Sequence, residues 1–172
     1  DLVRIRLITL HPAYVTRALA EALRDCPKAE RFLPLPAQSG SDRVLRAMKR
    51  GYTTDLYRKR LELLREIVPD VELGSDWIVG FPGETDAEFE ESERFLGEIG
   101  TVVNYVFKYD PRPDTPAEAV LDDVATAVKK ERNQRLLRAG ERSALARMEL
   151  QLGAQHEVLV EHVGDAPLAG RG

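Results

Sequence analysis

Apolar positions along this chain switch between a period near two and a period near 3.6, and each switch marks a new element. Residues 2–8 are rich in branched side chains and read as a strand. Pro12 suits a first helical turn, and Val15, Leu19, Ala22 and Leu23 then form a helical stripe. Residues 32–35 predict a short strand interrupted by prolines. Ser41 is placed to cap a helix carrying Val44, Leu45 and Met48, and Gly51 to end it. Thr53 or Thr54 caps the next helix, whose Tyr57, Leu61, Leu64 and Ile67 share one face and which Pro69 closes. Residues 71–79 predict another strand, ended by the Gly80-Phe81-Pro82-Gly83 turn. Thr85-Asp86-Ala87-Glu88 has the form of a capping box, and Phe89, Leu96 and Ile99 continue that helix. Residues 102–109 predict a further strand, followed by a proline-rich loop over 111–116. A long charged helix is expected over 124–152, with Gly140 as a weak point. Residues 155–163 alternate like a strand, and residues 164–172 are expected to be disordered.

Strand, helix, strand at this spacing predicts an α/β fold of parallel strands joined by crossover helices. Four strands, near residues 2–8, 31–35, 71–79 and 102–109, are expected as parallel neighbours in one curved sheet. They are too few for a closed eight-stranded barrel but suffice for half of an open one. Composition shifts near Gly153, which divides the chain into an α/β unit over 1–123, a connecting helix over 124–152 and the start of a β-rich unit over 153–172.

Composition narrows the function classes. The 172 residues are 43% apolar and 31% charged, as in soluble globular domains, and no apolar run approaches the ~20 residues of a membrane span. No signal peptide is visible; the first residue is Asp1, and the expectation is a piece cut from a longer chain. A net charge of −4 gives no bulk attraction to nucleic acid. RNA contact would need local patches, either Arg43, Arg46, Lys49 and Arg50 or Lys129, Lys130, Arg132, Arg135 and Arg138; charge patterning favours a solvated helix face for each set over RNA contact. The single cysteine, Cys26, excludes an internal disulfide and fits a reducing compartment. With only His11, His156 and His162 beside it, it cannot build a cysteine-rich metal site.

In parallel α/β sheets, functional groups gather at the carboxyl ends of strands. That rule nominates Thr9, His11 and Pro12; Gln38, Ser39, Gly40 and Ser41; Ser75, Asp76 and Gly80 to Glu84; and Lys108, Tyr109, Asp110 and Arg112. The set offers amide and hydroxyl donors for a ribose or carboxylate, but no nucleophile–base pair. His11 fits a helix cap or the core better than a catalyst. Asp76 lies inside an apolar strand, where a carboxylate needs a partner or a ligand, or else a structural bond to a neighbouring strand. The Gly80-Phe81-Pro82-Gly83-Glu84 turn lacks the Walker lysine and the G-x-G-x-x-G spacing, so it reads as a strand-to-helix turn, with Glu84 exposed in the first turn of the next helix.

Three stretches resemble a known family. Pro36 to Leu45 is similar to the P-x-Q-S-G-S-D-x-V-L stretch of radical S-adenosylmethionine (SAM) tRNA methylthiotransferases of the MiaB type, and Lys49-Arg50-Gly51-Tyr52-Thr53 matches the residues that come after that stretch in the family. Asp76 to Thr85 resembles their D-x-I-V-G-F-P-G-E-T, and Phe107 to Ala117 their F-x-Y-S-P-R-P-G-T-P-A. Val158-Leu159-Val160-Glu161 looks like the opening strand of their RNA-binding TRAM domain. Departures are Pro34 for the family's usual His, Asp110 for Ser and Asp114 for Gly.

The resemblance implies the C-terminal part, roughly the third to sixth strands, of a partial (β/α)6 radical SAM barrel. It implies methylthio transfer to N6-isopentenyladenosine beside the anticodon of tRNA, with SAM and [4Fe–4S] clusters as cofactors. The cluster-binding CxxxCxxC motif would lie outside this chain, which by itself would be inactive. Gln38, Ser39, Asp76, Gly80 and Tyr109 would hold SAM, and Lys108 and Arg112 would face the RNA; no residue is assigned as catalytic or as a metal ligand. A cytoplasmic monomer with no membrane association is expected. Sister enzymes acting on threonylcarbamoyladenosine tRNA or a ribosomal protein, or a noncatalytic RNA-binding piece, are the alternatives. Pro36, Ser39 after Gln38, and Tyr109-Asp110-Pro111-Arg112-Pro113 favour the isopentenyladenosine branch.

Overall fold

Three parallel strands, β1 (Phe32–Pro34), β2 (Glu72–Val79) and β3 (Val103–Lys108), form one sheet in the order β1-β2-β3. The computed structural model describes residues 2–111, 121–156, 158 and 160. Helix α1 (Arg17–Asp25) precedes the sheet; α2 (Asp42–Ala47) and α3 (Thr54–Ile67) join β1 to β2; α4 (Asp86–Ile99) joins β2 to β3; and α5 (Thr126–Glu149) comes last. The register sets Pro34 beside Gly74, Asp76 beside Tyr105 and Ile78 beside Phe107.

Alternate strand residues point to opposite faces. Leu33, Leu73, Ser75, Trp77 and Val79 share the buried face. Phe95 of α4 packs edge-on against Trp77 at 6.2 Å and Tyr57 of α3 at 5.3 Å, and α5 lies along β3 and α4. Tyr57, fully buried, donates to the Leu35 carbonyl at 2.8 Å and so ties α3 to the end of β1. The opposite face, carrying Gly74, Asp76, Ile78, Val103, Tyr105 and Phe107, is left open: Tyr105 and Phe107 are more than half exposed.

The helix signals act as expected at most starts. Thr16, Thr53 and Thr85 accept hydrogen bonds from the amides of Leu19, Leu56 and Glu88, and the Thr85–Glu88 capping box is complete. Ser41 occupies the N-cap of α2, but its hydroxyl reaches Glu88 instead of a helix amide. Lys49, not Gly51, ends that helix. Its φ of 57° turns the chain so that the amides of Lys49 and Arg50 bond back to Arg46 and Leu45, the closure usually made by glycine. Gly140 sits where α5 crosses β3, and a Cβ there would lie 3.0 Å from that of Asn104.

The expected strand at residues 2–8 does not form. The segment pairs with the backbone beside it through one bridge, Ile5 with Ala29, and just beyond it the Leu10 amide donates to the Pro34 carbonyl at 3.0 Å; its other ties are side-chain contacts such as the Arg6–Glu30 ion pair. The cause lies in β1. Arg31 and Leu35 turn their backbone groups toward β2, so Pro34 and Pro36 occupy the positions that face the first segment. Neither has an N–H, and a ladder on that edge lacks its donors. The sheet therefore has three strands among the described residues. Residues 155, 156, 158 and 160 are not in a strand; the rest of the alternating stretch, the tail and most of the proline-rich loop lie outside the described residues.

Candidate functional site

The carboxyl ends of the strands gather most of the nominated residues, but in different roles. Gln38 has a φ of 65°, its amide donates to the Asp76 carbonyl at 2.8 Å, and its carbonyl accepts from Ile78 at 2.9 Å. This left-handed residue restores β1–β2 pairing beyond the prolines and sets its side chain against a cavity of about 300 Å³. Thr9, His11, Arg50, Tyr52 and Asp76 share that lining. Asp76 also borders a larger cavity, of about 600 Å³, on the open face with Phe32, Pro34, Val103 and Tyr105. Both volumes lie near the range of small-molecule sites.

Asp76 is half-buried, and its carboxylate has no hydrogen bond or ion pair among the described residues. Burial pushes its pKa up, and the positive charge of Arg50 opposes that rise. The structural bond to a neighbouring strand considered from sequence is not made, so the group remains available as an acceptor at the junction of the two cavities. Tyr52 donates to the Pro36 and Ala37 carbonyls at 3.1 and 3.0 Å, and burial raises its pKa to about 12. It stays a neutral donor that braces the turn before Gln38. His11 behaves as a cap: its Nδ1 accepts from the Ala13 amide at 3.2 Å, and its ring meets Tyr52 edge-on at 5.0 Å.

Other nominated residues are absorbed into the scaffold. Ser39 is fully buried, and its hydroxyl meets that of Ser92 on α4 at 3.3 Å and accepts from the Ser41 amide. Ser75 accepts from the Ala37 amide at 3.0 Å. Gly80 has a φ of 72° and faces Lys129 of α5. Glu84 is not an exposed first-turn residue: its side chain is fully buried and pairs with Arg132 at 2.8 Å. Burial raises its pKa, while the Gly80 amide and Arg132 pull it back. Tyr109 stands at the rim, edge-on to Phe81 at 5.1 Å and beside the Lys129 ammonium. Lys108, exposed at the end of β3, lies on the register of Asn104 and Val106, opposite to Tyr105 and Phe107. Arg112 lies outside the described residues.

The two basic patches differ: ion pairs take up most of the second, whereas in the first Arg46, Lys49 and Arg50 are exposed without an ion pair among the described residues. Arg43 pairs with Glu88, Lys129 with Asp122, Arg132 with Glu84 and Asp86, and Arg135 with Glu93. Sequence reasoning missed Tyr52 as part of the site and placed Arg50 in an RNA patch. The matching stretch Lys49 to Thr53, close behind the Gln38 motif, was the available signal. Among the described residues no group of His, Cys, Asp and Glu is arranged to hold a metal ion, and no helix is long and apolar enough to cross a membrane.

A parallel sheet with helices on one face and a cavity-lined open face on the other is the architecture of a partial α/β barrel. Residues 2–96 match the radical SAM superfamily, and the chain belongs to that superfamily. It is 47% identical over 97% of its length to a tRNA-2-methylthio-N(6)-dimethylallyladenosine synthase of Novosphingobium aromaticivorans, covering 38% of that protein. It is 45% identical over 92% of its length to the protein of the same name from Protochlamydia amoebophila, covering 35% of it. The chain thus spans little more than a third of these relatives. Among solved structures, coproporphyrinogen III oxidase of Escherichia coli, a radical SAM enzyme, superposes with a TM-score of 0.61 over 84% of this chain and 32% of that one, at 20% identity; this likeness concerns the fold.

Proposed function

We propose that this chain is the later part of the radical SAM domain of a tRNA methylthiotransferase acting on N6-dimethylallyladenosine (isopentenyladenosine) next to the anticodon. In this reading the long helix leads to a TRAM-like domain that begins near residue 153. The relatives' shared name supports the reaction. The observation that carries the site is Asp76, a carboxylate with no hydrogen bond or ion pair among the described residues, between two cavities on the open face of the sheet.

The residues present fit SAM as a ligand. Asp76 would accept from its ribose hydroxyls or ammonium group, the Gln38 amide would supply a donor and an acceptor, and Tyr109 would border the site at the rim. They do not fit an iron–sulfur cluster, which is held by several cysteine thiolates. Cys26, the only cysteine, ends α1. The cluster's ligands would come from elsewhere in the protein. SAM and the cluster, when bound, supply the radical and methyl-transfer chemistry. Lys108 would contribute a phosphate contact from the rim, with Arg112 beyond it in the chain.

The test is complementation of a bacterial strain lacking its own methylthiotransferase with the full-length gene, and then nucleoside mass spectrometry. Gain of the 2-methylthio group on N6-dimethylallyladenosine is expected. Gain only on the threonylcarbamoyl nucleoside would overturn the substrate assignment, and gain on neither would overturn the reaction.

A further inference from the structure

The strongest unassigned feature is the way α5 grips the rim from behind. Glu84 closes the turn after β2. Its Oε2 accepts from the Gly80 amide at 2.7 Å and from Arg132 at 2.8 Å. The same Arg132 nitrogen donates to the Glu84 carbonyl at 3.1 Å, and its neighbour donates to Asp86 at 2.7 Å. One turn earlier on α5, Lys129 packs so tightly on Gly80 that a Cβ there would lie 2.4 Å from its Cγ. Its ammonium reaches the Tyr109 carbonyl at 3.1 Å and the Asp122 carboxylate. Two successive turns of one helix thus hold the loops at the ends of two adjacent strands.

Adhesion does not explain this arrangement. A buried ion pair is often no more stabilising than apolar side chains of similar volume. Here Glu84 Oε1 and Arg132 Nε have no partner among the described residues, so the pair is not even fully satisfied. What a planar guanidinium adds is direction: it fixes the plane of the Glu84 carboxylate, which fixes the Gly80 amide. The other end of α5 offers a comparison within the same helix. There Arg147 pairs with Glu72 at 2.8 Å, at the start of β2 and away from the rim, with both side chains about one-fifth exposed.

We propose that Arg132 and Lys129 are positioning residues: α5 is a clamp that holds the Gly80–Glu84 turn and the Tyr109 backbone in the geometry that receives SAM. The proposal rests on the reading of this rim as the SAM site, and it places the control of that geometry on a helix that does not touch the ligand.

The experiment compares Arg132→Met, Lys129→Met and Arg147→Met in the full-length protein. Lys129→Met keeps the methylene packing over Gly80 and removes only the charge, so it serves if Arg132→Met does not fold. Amide exchange by mass spectrometry, on protein without added SAM, reads the clamp directly. Exchange across residues 78–86 is expected to quicken about ten-fold in Arg132→Met and to be unchanged in Arg147→Met. SAM affinity, measured by calorimetry with the cluster reconstituted, is expected to fall about ten-fold in Arg132→Met and several-fold in Lys129→Met. Arg147→Met is expected to lose thermal stability alone. Equal loss of SAM affinity in the Arg132 and Arg147 variants would overturn the positioning role, as would unchanged exchange in Arg132→Met. Failure of the wild-type protein to bind SAM would instead overturn the functional reading, while the exchange data still decide the clamp.

Discussion

Replacing Glu88 by glutamine separates two functions that the carboxylate performs at once. Its Oε2 accepts from the amide and hydroxyl of Thr85, both at 2.9 Å, closing the capping box of α4. The same carboxylate pairs with Arg43, whose second nitrogen donates to it at 2.7 Å, and accepts from the Ser41 hydroxyl at 3.3 Å. Glutamine preserves the capping box but not the ion pair. Arg43, then the Thr85 donors, lower the Glu88 pKa from 4.5 to about 2. Because the folded pKa lies below the unfolded one, this stabilisation is fully present above pH ~4.5 and is lost as pH falls toward ~2. The shift corresponds to a ceiling of about 3 kcal/mol. Arg43 is half exposed, so solvent screening reduces the expected value to about 1–2 kcal/mol. Urea denaturation of wild type and Glu88→Gln should show that gap at neutral pH, narrowing to about zero near pH 2, and narrowing also in ~1 M salt. A gap that stayed constant with pH would refute the electrostatic account and make the loss one of packing.

Gly40→Ala should cost about 3 kcal/mol or prevent folding, because the new Cβ would lie 2.5 Å from the Glu91 carbonyl oxygen and 2.6 Å from the Ser92 Cα, backbone atoms that cannot yield; thermal denaturation checks this. In the full-length protein, Asp76→Ala should weaken SAM binding with little loss of stability, whereas Glu84→Ala should lower both, by about 3 kcal/mol in stability, since it leaves buried Arg132 with only the exposed Asp86 as a partner; calorimetric titration and melting of the two variants separate the effects. Anaerobic reconstitution of the 172-residue chain should yield no stoichiometric [4Fe–4S] cluster by iron and sulfide analysis, because Cys26 is its only thiol.

Local chemistry made much of the fold legible. Thr16, Thr53 and Thr85 cap their helices because a short hydroxyl side chain satisfies a first-turn amide wherever the chain places it. The stripe of Tyr57, Leu61, Leu64 and Ile67 is buried as one face because helical geometry alone aligns those positions. The sequence by itself also determined the parallel order of the later strands, through the crossover helices between them; it named Gln38, past the end of β1, and Asp76, within β2, as candidates. It could not show which edge of β1 its prolines would disable, since that depends on which neighbour each backbone N–H faces. Nor could it tell the exposed from the buried members of the charged runs. Arg132 and Glu84 lie 48 residues apart in the chain, and only the packing of α5 across the sheet brings them together. Burial, ion pairing and the use of Ser39 or Glu84 as scaffold are properties of long-range neighbours, and those exist only once the chain has folded.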